Sequence, residues 1–484
     1  MKNETLKTKT LKGFFWSFSE LLSRYGINFI IQILLARLLL PEDFGIIGMI
    51  TIFIAISQSI IDSGFGNALI REKKNTEEDY STVFFFNLIT AIILYIVLFF
   101  SANTISSFFS QPKLTSILRV LSIVLIINSF GLIQRTILTK NIDFKTQTKI
   151  VLLSSVISGI VAIGLAYFGF GVWSLVFRNI IMQFLQSFLL CFYNRWKPLF
   201  VFNPDSFKRL FGFGWKLLVS GLINTLYKNI YLLIIGKFFS TVDLGYYSNA
   251  KKLSEIASSM ITSSVQKVSY PVLSSIKDNK DQVLKGYKKI LTHTVYISFF
   301  VSTILAASAE NLIPFLFGEK WVSSVSYFQI LCFSSMLFPV HAINLNILKV
   351  KGRSDLVLKI AIIKNTISIT GIILVLMFKR NIILLLWFNV FISVLSYYIN
   401  SYNSKILINY SFFEQIKDIL PCFFLTVIMG IIVYLIGKIP VSTFPRLILQ
   451  ISLGMSIYFL LSKKFKIQGY QISDIIIEKF KAKR

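Results

Sequence analysis

Apolar runs of about twenty residues, separated by short polar breaks, repeat along the whole chain, and each is long enough for a helix to cross a hydrocarbon core. Strands of a membrane barrel are about half that length and alternate in polarity, so the pattern predicts helices. Spans fall near residues 14–38, 45–70, 82–108, 115–137, 147–168 and 171–193 in the first half. The second half gives 212–238, 245–270, 289–316, 324–348, 356–378 and 381–402. A last pair, 417–437 and 445–462, has no earlier counterpart and brings the total to fourteen. Most of the ten prolines lie at span ends or in loops, where their missing N–H costs least, and only Pro339 falls well inside a span.

One stretch organises the rest. Residues 34–48, LLARLLLPEDFGIIG, return in weakened form as residues 233–248, LIIGKFFSTVDLGYYS, with Arg37 matching Lys237, Asp43 matching Asp243 and Gly45 matching Gly245. Each copy ends one span and begins the next, as a tight turn, and each Asp is placed to cap the helix that follows. Fainter echoes join spans three and four of each half, FFSQPKL at 108–114 and FLFGEKW at 315–321, and set Asp143 and Asp355 before the fifth span of each. Six spans per half return the chain to its starting side, so the repeat is parallel. The expected architecture is an all-α polytopic membrane protein of about fourteen helices. It has a six-helix lobe at 1–205, a second at 206–405, an extra pair at 406–465 and a basic tail at 466–484.

Composition agrees with this and removes alternatives. Of 484 residues, 55% are hydrophobic and only 15% charged, with a mean hydropathy of +0.70, a profile no soluble surface has. The net charge of +28 sits in loops on one side of the spans. Taking that side as cytoplasmic puts both termini inside, by the positive-inside bias. No basic domain stands outside the spans, which argues against nucleic acid. Cys191, Cys332 and Cys422 lie far apart, so neither a disulfide framework nor a metal site is indicated. No Walker sequence, zinc motif or large external loop supports an ATP-driven pump or a soluble catalytic domain.

Polar stripes carry the candidate chemistry. A charge at mid-membrane costs at least about 2.5–3.5 kcal/mol and must face an interior or watery cavity. Span one sets Ser17, Glu20, Arg24, Asn28 and Gln32 on one face, and span two Thr51, Gln58, Asp62 and Gly66. Span seven carries Lys216, Ser220, Asn224, Tyr227, Lys228 and Tyr231, and span eight Lys252, Glu255, Ser259, Ser263, Gln266 and Tyr270. These four spans flank the repeated turn and predict a polar cavity. Its balance is basic: Arg24, Lys216, Lys228 and Lys252, joined by Lys251, Lys267 and Arg178, against Glu20, Asp62 and Glu255. Such a cavity attracts anions, a diphosphate above all. Arg24, Lys228, Lys252, Lys251, Asn28 and Asn224 are the candidate contacts. Glu20, Asp62 and Glu255 are either counter-charges or sites that couple H+ or Na+ to transport. No other cofactor is called for. His293 and His341 are read as packing residues.

The fourteen-span layout, the LLARLLLPEDFGIIGMI turn, its GKFFSTVDLGYYSNAKKL partner and VSYPVLS at 268–274 resemble the polysaccharide-type, Wzx-like flippases of the multidrug/oligosaccharidyl-lipid/polysaccharide exporter superfamily. The resemblance implies two lobes alternating between the faces of the bacterial inner membrane. It implies an undecaprenyl-diphosphate-linked oligosaccharide as cargo, surrounding lipids, a polysaccharide polymerase and chain-length machinery as partners, and no enzymatic activity. Relatives place basic residues on spans one and eight against the diphosphate. Arg24 lies on the matching face, whereas Lys252 stands where a relative carries Arg, which keeps the charge and loses the bidentate fork. The alternatives are an ion-coupled exporter of small drugs or metabolites, for which an acidic, aromatic cavity is expected, and a membrane glycan polymerase or ligase.

Overall fold

Among the described residues helices form where the apolar runs stand, and several extend beyond them. The computed structural model describes residues 25–72 and 74–470. Its helices, in order, are α1 (Tyr25–Leu38), α2 (Pro41–Arg71), α3 (Glu77–Phe109), α4 (Leu114–Lys140), α5 (Phe144–Tyr167), α6 (Val172–Asn194) and α7 (Pro204–Phe238). There follow α8 (Thr241–Ser275), α9 (Lys280–Phe317), α10 (Ser324–Val350), α11 (Ser354–Phe378), α12 (Ile382–Ile408), α13 (Phe412–Ile436) and α14 (Thr443–Lys464). Among the described residues twelve helices are long and apolar enough to cross a membrane. The two others are α1, whose start lies outside the described residues, and α8, which its own polar stripe makes too hydrophilic. The chain is an all-α, multi-pass membrane protein.

Several helices overrun the apolar windows, and this revises the reading of the prolines. Pro271, Pro314 and Pro421 lie inside α8, α9 and α13. Pro339 instead opens the second segment of α10, which breaks after Ser335 and resumes at Phe338. There a proline has no helical hydrogen bond to lose. The fourth span of the first half breaks likewise, at Ser122 between Leu114–Leu121 and Ile123–Lys140. The matching breaks are a structural echo of the repeat.

Two compact units divide the chain at residues 248 and 249. In the first, Ile31 and Leu35 of α1, with Leu39 just beyond its end, pack on Ala162 and Ala166 of α5 and Leu175 of α6. The seventh span belongs to this unit: Gly214 and Gly221, seven residues apart, bring α7 against Ser63 and Ser59 of α2. Both copies of the repeated turn are here as well, and they meet. A Cβ built on Gly45 would lie 1.9 Å from the Thr241 carbonyl oxygen, and one on Gly245 only 1.8 Å from that of Pro41. Pro41 and Thr241 are equivalent positions, so the contact is reciprocal, as it must be where a pseudo-two-fold axis passes. Asp43 accepts from the Leu40 amide at 3.0 Å. Asp243 accepts from the Ser240 hydroxyl, which in turn accepts from the Asp243 amide. Both aspartates therefore tie down the first turn of the helix they stand in.

The second unit is built around α9. Tyr287, Leu291, Val295 and Phe299 form one side of its core with Val340, Ile343 and Ile347 of α10. The last helix pair closes the other side: Gly430 and Gly454 sit over Thr303 and Ile304. Tyr458 donates to the Tyr296 carbonyl at 2.7 Å, and Asn311 donates to Gln450 at 3.2 Å. The outer faces of α13 and α14 expose Phe424, Ile431, Leu435, Ile451 and Leu460, as lipid-facing surfaces do.

Candidate functional site

The candidate residues divide between the two units. Glu20 and Arg24 lie outside the described residues, as does most of the basic tail. Asn28, on α1, accepts at Oδ1 from Arg178 Nη2 of α6 at 2.8 Å. Asn224 and Lys228 are exposed on α7, and Asn224 Nδ2 donates to the Ser220 carbonyl one turn back.

Asp62 stands at a break. Ser63 and Gly64 both take left-handed backbone, with φ of 46° and 72°, and the helix restarts at Phe65. The Asp62 carboxylate lies beside Gly66, in the first turn of the new segment, where amides lack helical partners and a negative charge is favoured. Asp62 thus has a local structural duty. Asp62→Ala is expected to cost about 1 kcal/mol, the typical worth of a helix cap, measured as a small fall in the unfolding midpoint.

In the second unit Lys251 and Glu255, one turn apart on α8, form an ion pair at 3.9 Å, and Lys252 is exposed beside them. The same unit holds a polar network that no single-span stripe announces. Tyr287 of α9 donates to Asn344 of α10. Asn344 donates to Ser401 of α12, and both Ser401 and Tyr397 donate to Gln415 Oε1 of α13. Gln415 Nε2 donates to the Tyr410 carbonyl, and the Tyr410 hydroxyl donates to Asp418 at 2.6 Å, beside Lys288. His341 lies between Ser393 and Asn400, each 3.3 Å from a ring nitrogen. Its partners are hydroxyl and amide groups on a neighbouring helix, in keeping with a packing residue. Sequence reading also passed over Lys364, inside α11 and five residues beyond Lys359, although a lysine that far into so apolar a helix is itself a signal. Among the described residues no group of three or more His, Cys, Asp or Glu could hold a metal ion.

The sequence and the fold match known proteins. A family model described as polysaccharide biosynthesis protein matches residues 34–326, from the first copy of the repeated turn to the start of α10. The teichuronic acid biosynthesis protein TuaB of Bacillus subtilis (strain 168) is 28% identical over 382 residues, 78% of each chain. The lipopolysaccharide biosynthesis protein WzxC of Escherichia coli (strain K12) is 22% identical over 373 residues, 76% of each. Among solved structures, the lipid II flippase MurJ in an inward closed conformation superposes with a TM-score of 0.78 at 16% identity, covering 93% of this chain and 98% of that one. The fold is shared with it. The chain belongs to the polysaccharide biosynthesis protein family, whose model covers more than half of it.

Proposed function

We propose that this protein flips an undecaprenyl-diphosphate-linked oligosaccharide, a repeat unit of a surface polysaccharide, across the bacterial inner membrane by alternating access. The observation that carries this beyond family membership is the cationic stripe of the helices that flank the second turn. It leaves α8 too polar along its length to match an ordinary lipid-embedded helix. A stripe so costly in lipid supports a cargo that brings compensating negative charge. Lys228 and Lys252, with Lys251, Asn28, Asn224 and Arg24, are the residues assigned to the diphosphate. Glu20, Asp62 and Glu255 supply counter-charge or couple H+ or Na+. Both termini are assigned to the cytoplasm, where the lysine-rich loops would meet anionic lipid. A polymerase and a chain-length regulator on the far side are the expected partners.

The test is flipping in proteoliposomes, read as exposure of a sugar-labelled undecaprenyl-diphosphate oligosaccharide to an impermeant glycosidase. Lys228→Ala and Lys252→Ala are each expected to slow it about ten-fold, the equivalent of one 1.4 kcal/mol contact. Wild-type rates in both variants would remove the anion assignment. Wild-type protein that moves small cationic drugs and no lipid-linked glycan would remove the flippase reading.

A further inference from the structure

Among the described residues Arg178 has no counter-charge. It stands six residues into α6, roughly 9 Å along the helix from its start. Three other cations of this unit are answered. Arg209 meets Asp79 and Glu72, Arg119 donates to the Phe99 carbonyl, and Lys140 donates to that of Leu69. Arg178 has one neutral partner, Asn28. Its Nε is shielded from solvent and makes no hydrogen bond, and no carboxylate among the described residues approaches it. Ser174, one turn earlier on the same face of α6, likewise buries a hydroxyl with no partner.

Arg178 is largely but not fully buried. A largely buried guanidinium with no carboxylate beside it is costly, and even a buried ion pair is often replaced by apolar side chains without loss of stability. A group retained on those terms needs a ligand. The unsatisfied atoms are the arginine Nε–H and a serine hydroxyl, and a guanidinium edge matches the paired oxygens of a phosphate or carboxylate. We propose that Arg178, oriented by Asn28 and assisted by Ser174, forms an oxyanion site inside the first unit, taking anionic oxygens of the transported glycolipid. This rests on the flippase reading for the identity of the cargo, and the oxygens come either from its diphosphate or from an acidic sugar.

The experiment is thermal unfolding of the full chain in lipid nanodiscs, alone and with inorganic pyrophosphate, methyl glucuronide or undecaprenyl diphosphate, alongside the proteoliposome assay. Wild-type protein is expected to gain at least about 2 °C with an anion. Pyrophosphate acting alone assigns the site to the diphosphate, and glucuronide acting alone assigns it to the sugar. Arg178→Gln is expected to lose that gain, Arg178→Lys to keep part of it, and Ser174→Ala to weaken apparent affinity about three-fold. With no ligand, Arg178→Leu is expected to unfold about 2 °C higher than wild type, since it removes an uncompensated charge. A purely structural arginine would show the opposite sign. Lower stability or failure to fold in Arg178→Leu overturns the proposal, as does an anion response that is absent from wild type or unchanged in Arg178→Gln. If wild type flips glycolipid and Arg178→Gln flips and binds equally well, the site falls and the flippase reading stands. If wild type flips none yet responds to pyrophosphate through Arg178, the site stands and that reading falls.

Discussion

Gly245→Ala is expected to yield no folded, active protein, and Gly45→Ala to fail in the same way. Adding one methyl group to a packed core costs about 1–3 kcal/mol when side chains around it can shift. Here neither neighbour is a side chain. The new Cβ would fall 1.8 Å from the Pro41 carbonyl oxygen in one variant and 1.9 Å from that of Thr241 in the other. Each carbonyl belongs to the first turn of a helix of twenty or more residues, so relief requires moving a whole helix, and the cost should exceed that range. Two internal controls grade the effect. Gly48→Ala meets the Ser248 hydroxyl at 2.9 Å, which can rotate away, and should be mild. Gly212→Ala meets nothing within 4 Å and should add about 0.5–1 kcal/mol through helix propensity. Yield, unfolding midpoint and flipping rate in the four variants check the order. A Gly45→Ala protein with the wild-type midpoint and rate would show that the two turns do not pack as described.

That contact also marks what the chain discloses and what it conceals. The turn and its copy were legible, because Asp and Gly recur in register two hundred residues apart. Why glycine recurs was not, since the reason is a carbonyl on the other copy. Polar stripes on single helices were visible through their three- and four-residue steps. The network from Tyr287 through Asn344 and Ser401 to Gln415 was not, because each of four helices contributes one or two residues and no helix shows a period. Arg178 could be noticed as a cation, whereas its bond to Asn28 spans 150 positions. The break at Ser63 and Gly64 was hidden for another reason: it lies inside a run that stays apolar on both sides, and only backbone dihedrals reveal it. The prolines misled because apolar windows track the lipid-facing length, while helices continue into water as long as their ends are capped.

Asp79→Ala is expected to cost about 3 kcal/mol. Asp79 is buried at the third position of α3, where its carboxylate accepts from the Thr76 amide at 2.8 Å and from Arg209 of α7. The turn around it fastens the connection between α6 and α7. Glu77 accepts from the Trp196 indole, Ser81 from the Leu199 amide and Thr82 from the Asn203 amide. Removing the carboxylate leaves an amide and a cation to be satisfied elsewhere, and breaking a buried pair from one side typically costs about 3–5 kcal/mol. Arg209 is half exposed and keeps Glu72 at 3.2 Å, which sets the expectation at the lower end. Asp79→Asn retains an oxygen for the Thr76 amide and loses the charge, so about half the penalty should remain. Arg209→Leu combined with Asp79→Ala should be less damaging than the sum of the two, because the first change removes the cation that the second strands. Denaturant or thermal unfolding of the three variants measures this coupling. Strict additivity would show that Asp79 acts through the Thr76 cap alone and that the tie between α3 and α7 contributes nothing.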